Sequence, residues 1–214
     1  MVSSWYDDAM AEFLIPALLL GIFLMSVIAH EVSHGVVALA LGDSTAKYAG
    51  RLTLNPIKHM DPFGSVVLPI LSHFTFGFAF GYALPVPYNP YNLRNQQWGP
   101  ALVAVAGPLT NIVLAVIMAG VYRLLPDAGG FVAVYADVLT YVILVNLWLA
   151  IFNLVPIPPL DGSKLLLAAL PYRYHAWFHS LEMYGMFLVL GFVFFFSSYL
   201  FPLLYGAMTL LIGS

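Results

Sequence analysis

Residues 25–41 read MSVIAHEVSHGVVALAL, an apolar run that carries two histidines and a glutamate near its middle. In a helix, residues four positions apart lie on one face, so His30 and His34 can present imidazole nitrogens to one metal ion. Glu31 lies beside His30, within reach of a water molecule at that ion. This spacing is typical of zinc hydrolases. The stretch therefore predicts a helical zinc site within an apolar segment.

The composition of the 214-residue chain is that of an integral membrane protein. Hydrophobic residues make up 62% of it and charged residues 8%, whereas about a quarter of the residues in soluble domains are charged. No basic cluster indicates a nucleic-acid partner. Because the chain has no cysteine, a metal site must use His, Asp or Glu. Residues 1–214 are predicted to form one membrane domain.

Apolar segments of membrane-spanning length divide the chain. The first, residues 13–41, would form a helix of about 43 Å, longer than the hydrocarbon core of about 30 Å. Residues 99–125 and 131–156 are joined by a Pro- and Gly-containing turn, which predicts an antiparallel helical hairpin. A short helix over 160–170 precedes a last apolar segment, 182–211. This segment either crosses the membrane once or has a tail that bends back. We predict an all-α polytopic bundle of about four transmembrane helices in the lipid bilayer.

The region over residues 44–98 has a different character. Arg51 to Leu54 alternates polar and apolar side chains, which is typical of a short strand or hairpin. Residues 63–82 are apolar and long enough to cross the membrane, but glycines, a proline and His73 interrupt them. Length alone therefore leaves this segment open between a transmembrane helix and a broken element.

A third metal ligand is expected, because hydrolytic zinc sites normally have three protein ligands and an open position for water. Most carboxylates of the chain lie in loops or near its ends, where solvated charges are common. Asp161 differs, because it follows a membrane helix that ends in three prolines and precedes Gly162. Such a backbone can carry a carboxylate back toward a metal inside the bundle.

Two motifs together resemble one family: HEVSHG at residues 30–35 and NLVPIPPLDG at 153–162. They resemble the site-2 proteases, the intramembrane zinc metalloproteases. AGPLTN at 106–111 and YALPVP at 82–87 also resemble this family. The chain is expected to be a minimal form, without the PDZ or CBS modules of other members.

The resemblance implies a role for each candidate site residue. His30, His34 and Asp161 would bind one Zn²⁺ ion, and Glu31 would be the general base. Asn153 would orient the scissile carbonyl or stabilise the oxyanion. An interhelical hydrogen bond is the alternative role of Asn153.

The proposed ligands constrain how the chain crosses the membrane. The two histidines lie near the C-terminal end of the first helix, and Asp161 lies just past that of the helix over 131–156. If they meet at one ion, both helices run in the same direction, with an odd number of crossings between them. Because 99–125 supplies one crossing, residues 63–82 are predicted to enter and return on one side. The family resemblance implies a re-entrant β element here.

The basic residues favour the same topology. With the N-terminus outside and a re-entrant segment, Arg123 is the only one of the seven Lys and Arg residues on the outer side. A full crossing at 63–82 would divide them four to three. The positive-inside rule therefore places the site toward the cytoplasmic face of the cell membrane.

We predict an intramembrane zinc endopeptidase that cleaves in or near the transmembrane segments of membrane proteins. A helical peptide bond is hydrogen-bonded and shielded, so the substrate must unwind. The stretches Arg51 to Leu54 and Pro85 to Pro90 are candidates to hold it by strand addition. The alternatives are a membrane metal transporter or channel, which does not need Glu31, and a catalytically silent helix-binding relative. Natural substrate, trigger and oligomeric state stay open.

Other polar residues have a structural interpretation. His59 and His73 either line the cavity or form structural hydrogen bonds. His175 and His179 repeat the spacing of four but are predicted to lie on an interfacial helix. Asn111, with the glycine and proline of its motif, is interpreted as helix packing and interhelical hydrogen bonding.

Overall fold

The helices that position the site are seen in a computed structural model of the chain. It describes residues 2–61, 84–126 and 129–213, with the isolated positions 63, 67, 68, 71, 74 and 75, and it describes side chains from residue 14 onward apart from residue 197. The α-helices, in chain order, are α1 (Val2–Ala40), α2 (Thr45–Tyr48), α3 (Gly99–Arg123), α4 (Phe131–Asn153), α5 (Gly162–Ala169), α6 (His175–Glu182) and α7 (Gly185–Ile212).

The first helix, α1, extends well beyond the predicted apolar segment, to Val2. Its part from Leu14 to Ala40 has a mean hydropathy of 2.0. The helix ends where Gly42 adopts a φ of 113°, a conformation that glycine reaches without a steric penalty. The Asp43 N–H then donates to the Ala38 carbonyl at 2.9 Å and closes the last turn.

Helices α3 and α4 form an antiparallel hairpin, and α1 packs against both. Asn111 of α3 donates to Asn146 of α4 at 2.7 Å, near the middle of both helices. Along α1, Ser26 contacts Asn111 while His34 contacts Val103, so α1 and α3 run in opposite directions. It follows that α1 and α4 run in the same direction, as the predicted metal ligands require.

The C-terminal part returns along the hairpin. The segment Tyr172–Glu182, which includes α6, meets the start of α7 at an angle of 80°. α7 continues through Pro202 to Ile212, so the tail is an extension of this helix and does not bend back. The Arg123 guanidinium at the end of α3 donates to the Leu210 carbonyl at 3.0 Å. An apolar cluster joins α3, α4 and α7: Ala115, Ala119, Ile143, Leu147 and Leu204.

The strand expected at Arg51 to Leu54 is wrong. Residues 44–58 instead contain the short helix α2 and the 3-10 helix Pro56–Lys58, and none of the described residues is in a strand. Asp43 accepts hydrogen bonds from the backbone N–H and the hydroxyl of Thr45, which starts α2. The Thr53 carbonyl is bound by the His59 ring at 2.8 Å. Local partners therefore take the place of a strand neighbour.

The apolar stretch 63–82 lies largely outside the described residues, and its predicted re-entrant path with it. Its flanks are described. The Leu84 N–H donates to the His59 carbonyl at 2.9 Å, and the Arg94 N–H donates to the Leu41 carbonyl at 3.0 Å. Residues on the two sides of the stretch therefore lie within hydrogen-bond distance of each other.

The all-helical membrane character is confirmed. Among the described residues, three helices are long and apolar enough to cross a membrane: Leu14–Ala40, Gly99–Arg123 and Phe131–Asn153. There are four if the bent pair Tyr172–Glu182 and Gly185–Phe196 is one span. These numbers agree with the predicted bundle of about four.

Candidate active site

Two histidine rings of α1 and one carboxylate meet where α1, α3 and the loop after α4 come together. His30 Nε2 lies 3.1 Å from Asp161 Oδ2, and His34 Nε2 lies 3.3 Å from the same oxygen. The imidazole rings are nearly perpendicular, at 89°, with centroids 4.7 Å apart. Both histidines are buried. The i, i+4 spacing thus places two ring nitrogens around one carboxylate oxygen.

The other nitrogen of each ring contacts a hydrogen-bond acceptor. His30 Nδ1 lies 2.6 Å from Asn111 Oδ1, and His34 Nδ1 lies 2.7 Å from the Val103 carbonyl oxygen. In a neutral imidazole only one nitrogen carries a proton. Because these acceptors take the Nδ1 proton, each Nε2 keeps a free lone pair. Both lone pairs face Asp161.

A chain of hydrogen bonds determines how Asn111 is oriented. Asn146 Nδ2 donates to the Val142 carbonyl at 2.9 Å and to Ser26 Oγ at 3.0 Å. Asn146 Oδ1 is therefore the atom that faces Asn111 Nδ2, at 2.7 Å. This leaves Asn111 Oδ1 to face His30. A backbone carbonyl of α4 thus fixes the tautomer of a ring on α1.

The loop between α4 and α5 delivers Asp161. After Asn153 the chain forms successive tight turns, with the Ile157 N–H donating to the Val155 carbonyl and the Leu160 N–H to the Ile157 carbonyl. A Cβ atom on Gly162 would lie 2.2 Å from the Leu154 carbonyl oxygen. Only glycine therefore allows this close return, which places the Asp161 carboxylate at the histidines.

The donor set fits a zinc ion. Asp161 Oδ2 is buried and, apart from the two Nε2 atoms, has no partner among the described residues, although burying an unpaired charge is costly. With each Nδ1 proton donated to its outer acceptor, the two Nε2 lone pairs and this oxygen converge on one point. A cation resolves this arrangement, and two His with one carboxylate is an established catalytic zinc set.

Gly107 allows α3 to approach the histidine rings. A Cβ atom at this position would lie 2.5 Å from His30 Cε1 and Nε2 and 2.6 Å from His34 Cε1. The sequence interpretation of the AGPLTN motif as close packing therefore has a specific location. At Gly107, the backbone of α3 packs directly against the imidazole rings of the two proposed metal ligands.

Glu31 lies at the same site. One ligand atom from each of His30, Glu31 and His34 lies within 4.8 Å of the others. The Glu31 carboxylate is partly buried, and its Oε2 accepts a hydrogen bond of 3.0 Å from the Val86 N–H. This carboxylate can therefore reach a water molecule placed between the ligands.

The remaining candidates do not join this cluster. The Asn153 amide donates to the Leu149 carbonyl of its own helix at 2.9 Å. His59 is buried, and its ring binds the Thr53 carbonyl, which is a structural role. His73 lies outside the described residues. Sequence reasoning missed Asn146 as a support of the site, although an amide inside an apolar helix is a signal for one.

Comparison with known proteins identifies the class of this site. A model described as Peptidase family M50 matches residues 129–196, which include Asp161. The Bacillus subtilis (strain 168) protein named "Putative zinc metalloprotease YwhC" is 39% identical over 170 residues, 75% of this chain and 74% of that protein. The chain belongs to the site-2 protease family. It is a zinc metallopeptidase, as the sequence predicted.

Other relatives of this site-2 protease come from further organisms. The Mycolicibacterium smegmatis protein named "Putative zinc metalloprotease Rip2" is 34% identical over 141 residues, 65% of this chain and 52% of that protein. One from Methanocaldococcus jannaschii, "Putative zinc metalloprotease MJ0611", is 30% identical over 155 residues, 68% of this chain and 70% of that protein. No solved structure matches significantly.

Proposed function

We propose that this protein is a zinc-dependent intramembrane endopeptidase that hydrolyses peptide bonds in or near the transmembrane segments of membrane proteins. His30, His34 and Asp161 hold one zinc ion. The observation that carries the proposal is the convergence of both Nε2 atoms on Asp161 Oδ2, at 3.1 and 3.3 Å, while each Nδ1 contacts an outer acceptor. Zinc bound there would activate water at neutral pH and polarise the substrate carbonyl.

Glu31 acts as the general base. It is one residue from a ligand, and its carboxylate faces the same space as the two rings. It accepts the proton of the attacking water and delivers it to the leaving amine. The Val86 N–H holds one of its oxygens, and the other accepts the proton.

The substrate is an extended peptide, because the carbonyl of a helical residue is shielded by its own hydrogen bond. The segment Leu84 to Asn89 is a candidate to hold it, since it is adjacent to Glu31 and Asp43. Asn153 orients the scissile carbonyl. To do so, its amide leaves the hydrogen bond to the Leu149 carbonyl when substrate enters.

The site lies toward the cytoplasmic side of the cell membrane. It is near the C-terminal ends of the parallel helices α1 and α4, and most Lys and Arg residues belong to the loops at that end. The positive-inside rule assigns this end to the cytoplasm. The re-entrant path of residues 63–82 is part of the same proposal, supported by the contact between His59 and Leu84.

Cleavage by the purified protein tests the proposal. The wild type and Glu31→Gln are assayed with a model transmembrane substrate, and zinc is counted by mass spectrometry. Wild type should cleave and hold about one zinc per chain, whereas Glu31→Gln should keep zinc and lose about 10³-fold or more in rate. Asp137→Asn is the matched control, because this carboxylate is exposed on α4 at the opposite end from the site.

The outcomes separate the alternatives. Equal cleavage by wild type and Glu31→Gln would contradict the mechanism. Zinc flux into vesicles without cleavage, insensitive to Glu31→Gln, would indicate the transporter. Zinc and substrate binding without either activity would indicate the silent relative.

A further inference from the structure

A proline-flanked backbone segment holds the proposed general base. Residues 84–89 read LPVPYN and follow the apolar stretch 63–82. We name residues 84–89 the strap. The N–H of Val86 is the only hydrogen-bond donor to the Glu31 carboxylate within the described part of the chain, at 3.0 Å. We propose that this backbone N–H is a positioning group that orients Glu31 for proton transfer, an inference that rests on the proposed function.

The strap is attached to α1 and its surroundings on both sides of Val86. On one side, the Leu84 N–H donates to the His59 carbonyl at 2.9 Å. On the other, the Asn89 N–H donates to Asp43 Oδ2 at 2.6 Å. The Val86 N–H therefore lies between two hydrogen-bonded positions of the strap. This restricts its movement, so it gives the Glu31 carboxylate a fixed donor.

Asp43 is a strong anchor. Burial raises the pKa of its carboxyl, but hydrogen bonds from Thr45, Asn92 and Asn89 outweigh this and hold the pKa below its usual value. The carboxylate is therefore charged at neutral pH and binds the Asn89 N–H as an ion. A hydrogen bond to a charged acceptor is stronger than one between neutral groups.

The side chain of Val86 also holds the strap, by packing against α1. It is 5% exposed and fills a notch over α1, where a Cβ atom on Gly35 would lie 2.7 Å from Val86 Cγ1. Gly35 is one helical turn beyond Glu31, so the same residue packs on the helix and binds its carboxylate.

The two prolines make the strap suitable for holding the Glu31 carboxylate in one orientation. Pro85 and Pro87 have fixed φ angles and no N–H, so the strap loses little conformational entropy when it is ordered. Val86 between them supplies a single donor. A carboxylate that is not fixed would visit orientations that do not face the site.

An amide-to-ester exchange tests the inference without changing a side chain. The α-hydroxy analogue of valine is incorporated at position 86, which replaces the N–H with an oxygen. The control is the α-hydroxy analogue of tyrosine at position 172. Tyr172 also follows a proline and begins the 3-10 helix Tyr172–Tyr174, outside the proposed substrate-holding segment, and among the described residues its N–H has no acceptor. Both esters weaken a proline carbonyl, but only the ester at position 86 removes a hydrogen bond to Glu31.

The inference predicts a selective loss in kcat. With the full-length protein and a model transmembrane substrate, the ester at position 86 should lower kcat about 10- to 100-fold, because a hydrogen bond to a charged group is lost. KM and the zinc content should stay as in the wild type. The ester at position 172 should change kcat by less than about twofold.

Three results would overturn the inference. An unchanged kcat for the position-86 ester, while Glu31→Gln is inactive, would refute the positioning role and leave the proposed function intact. Loss of zinc from this ester would show that the strap supports the metal ligands instead of the base. Absence of zinc-dependent cleavage by the wild type would refute both proposals.

Discussion

Two clusters in this molecule contain a pair of histidines four residues apart and a carboxylate. In the first, on α1, His30 and His34 meet Asp161. In the second, on α6, His179 meets Glu182, and His175 lies one turn earlier. The spacing in the sequence is the same, but the two clusters differ in how their polar atoms are satisfied.

In the second cluster both carboxylate oxygens of Glu182 have a donor. Lys164 donates to Glu182 Oε1 and His179 Nδ1 lies 3.1 Å from Glu182 Oε2. The His175 ring binds the Leu170 carbonyl. The His179 side chain is 57% exposed, so water can solvate it. No lone pairs converge here, and the cluster needs no metal.

In the first cluster the acceptors outnumber the donors. The Nδ1 protons are taken by Asn111 and the Val103 carbonyl, so both Nε2 atoms and Asp161 Oδ2 meet as acceptors. The difference teaches that spacing alone does not make a zinc site. We propose that the outer hydrogen bonds and the exclusion of water decide which pair binds metal.

Removing the carboxylate from each cluster should give the largest contrast. Asp161→Ala should reduce zinc from about one per chain to near zero and abolish cleavage, because two His ligands bind zinc weakly. Glu182→Ala should keep zinc, since its carboxylate is bound by Lys164. Mass spectrometry of the purified proteins measures both. Zinc loss from Glu182→Ala would remove the distinction between the clusters.

A methyl group beside the first pair should have the next largest effect. Gly107→Ala places a carbon 2.5 Å from the His30 ring, so α3 or the ring must move, and cleavage should fall about 100-fold. Gly120→Ala in the same helix is the control, because an added Cβ there meets nothing within 4 Å. Kinetics and zinc titration of both variants test this. Equal cleavage rates and zinc affinities in the two variants would mean that the helices move at Gly107 to accommodate the added methyl group without disturbing the site.

Removing the acceptor at His30 should have a smaller effect. Asn111→Leu deletes the Oδ1 that binds the Nδ1 proton and should weaken zinc binding about 10- to 100-fold. Asn111→Asp keeps an acceptor oxygen and should recover most of the affinity. Competition with a fluorescent chelator gives the dissociation constants. An unchanged affinity in Asn111→Leu would mean that the ring needs no fixed tautomer.

Deleting the exposed histidine should have the smallest effect. His179→Ala removes a surface pair with Glu182, which is worth about 0.5 kcal/mol or less. Thermal unfolding in detergent and the zinc content should match the wild type. A change in zinc content would show that the second cluster contributes to metal binding.

Much of the site follows from local sequence. A period of 3.6 residues places His30 and His34 on one helical face, and the proline-broken end of α4 indicates where Asp161 turns back. The strand expected at Arg51 to Leu54 failed because alternation predicts a strand only where a neighbouring strand is available. There the His59 ring satisfies the Thr53 carbonyl instead.

By itself, the sequence determined the zinc motif, the third ligand candidate, the apolar helices and the shared direction of α1 and α4. All of these depend on spacing along the chain or on the number of crossings. Only the tertiary structure decided the contacts of Asn146, the Val103 carbonyl and the Val86 N–H. Two of these three are backbone groups, which nearly every residue carries. Their roles depend on packing between distant segments, so the identity of the residue does not reveal them.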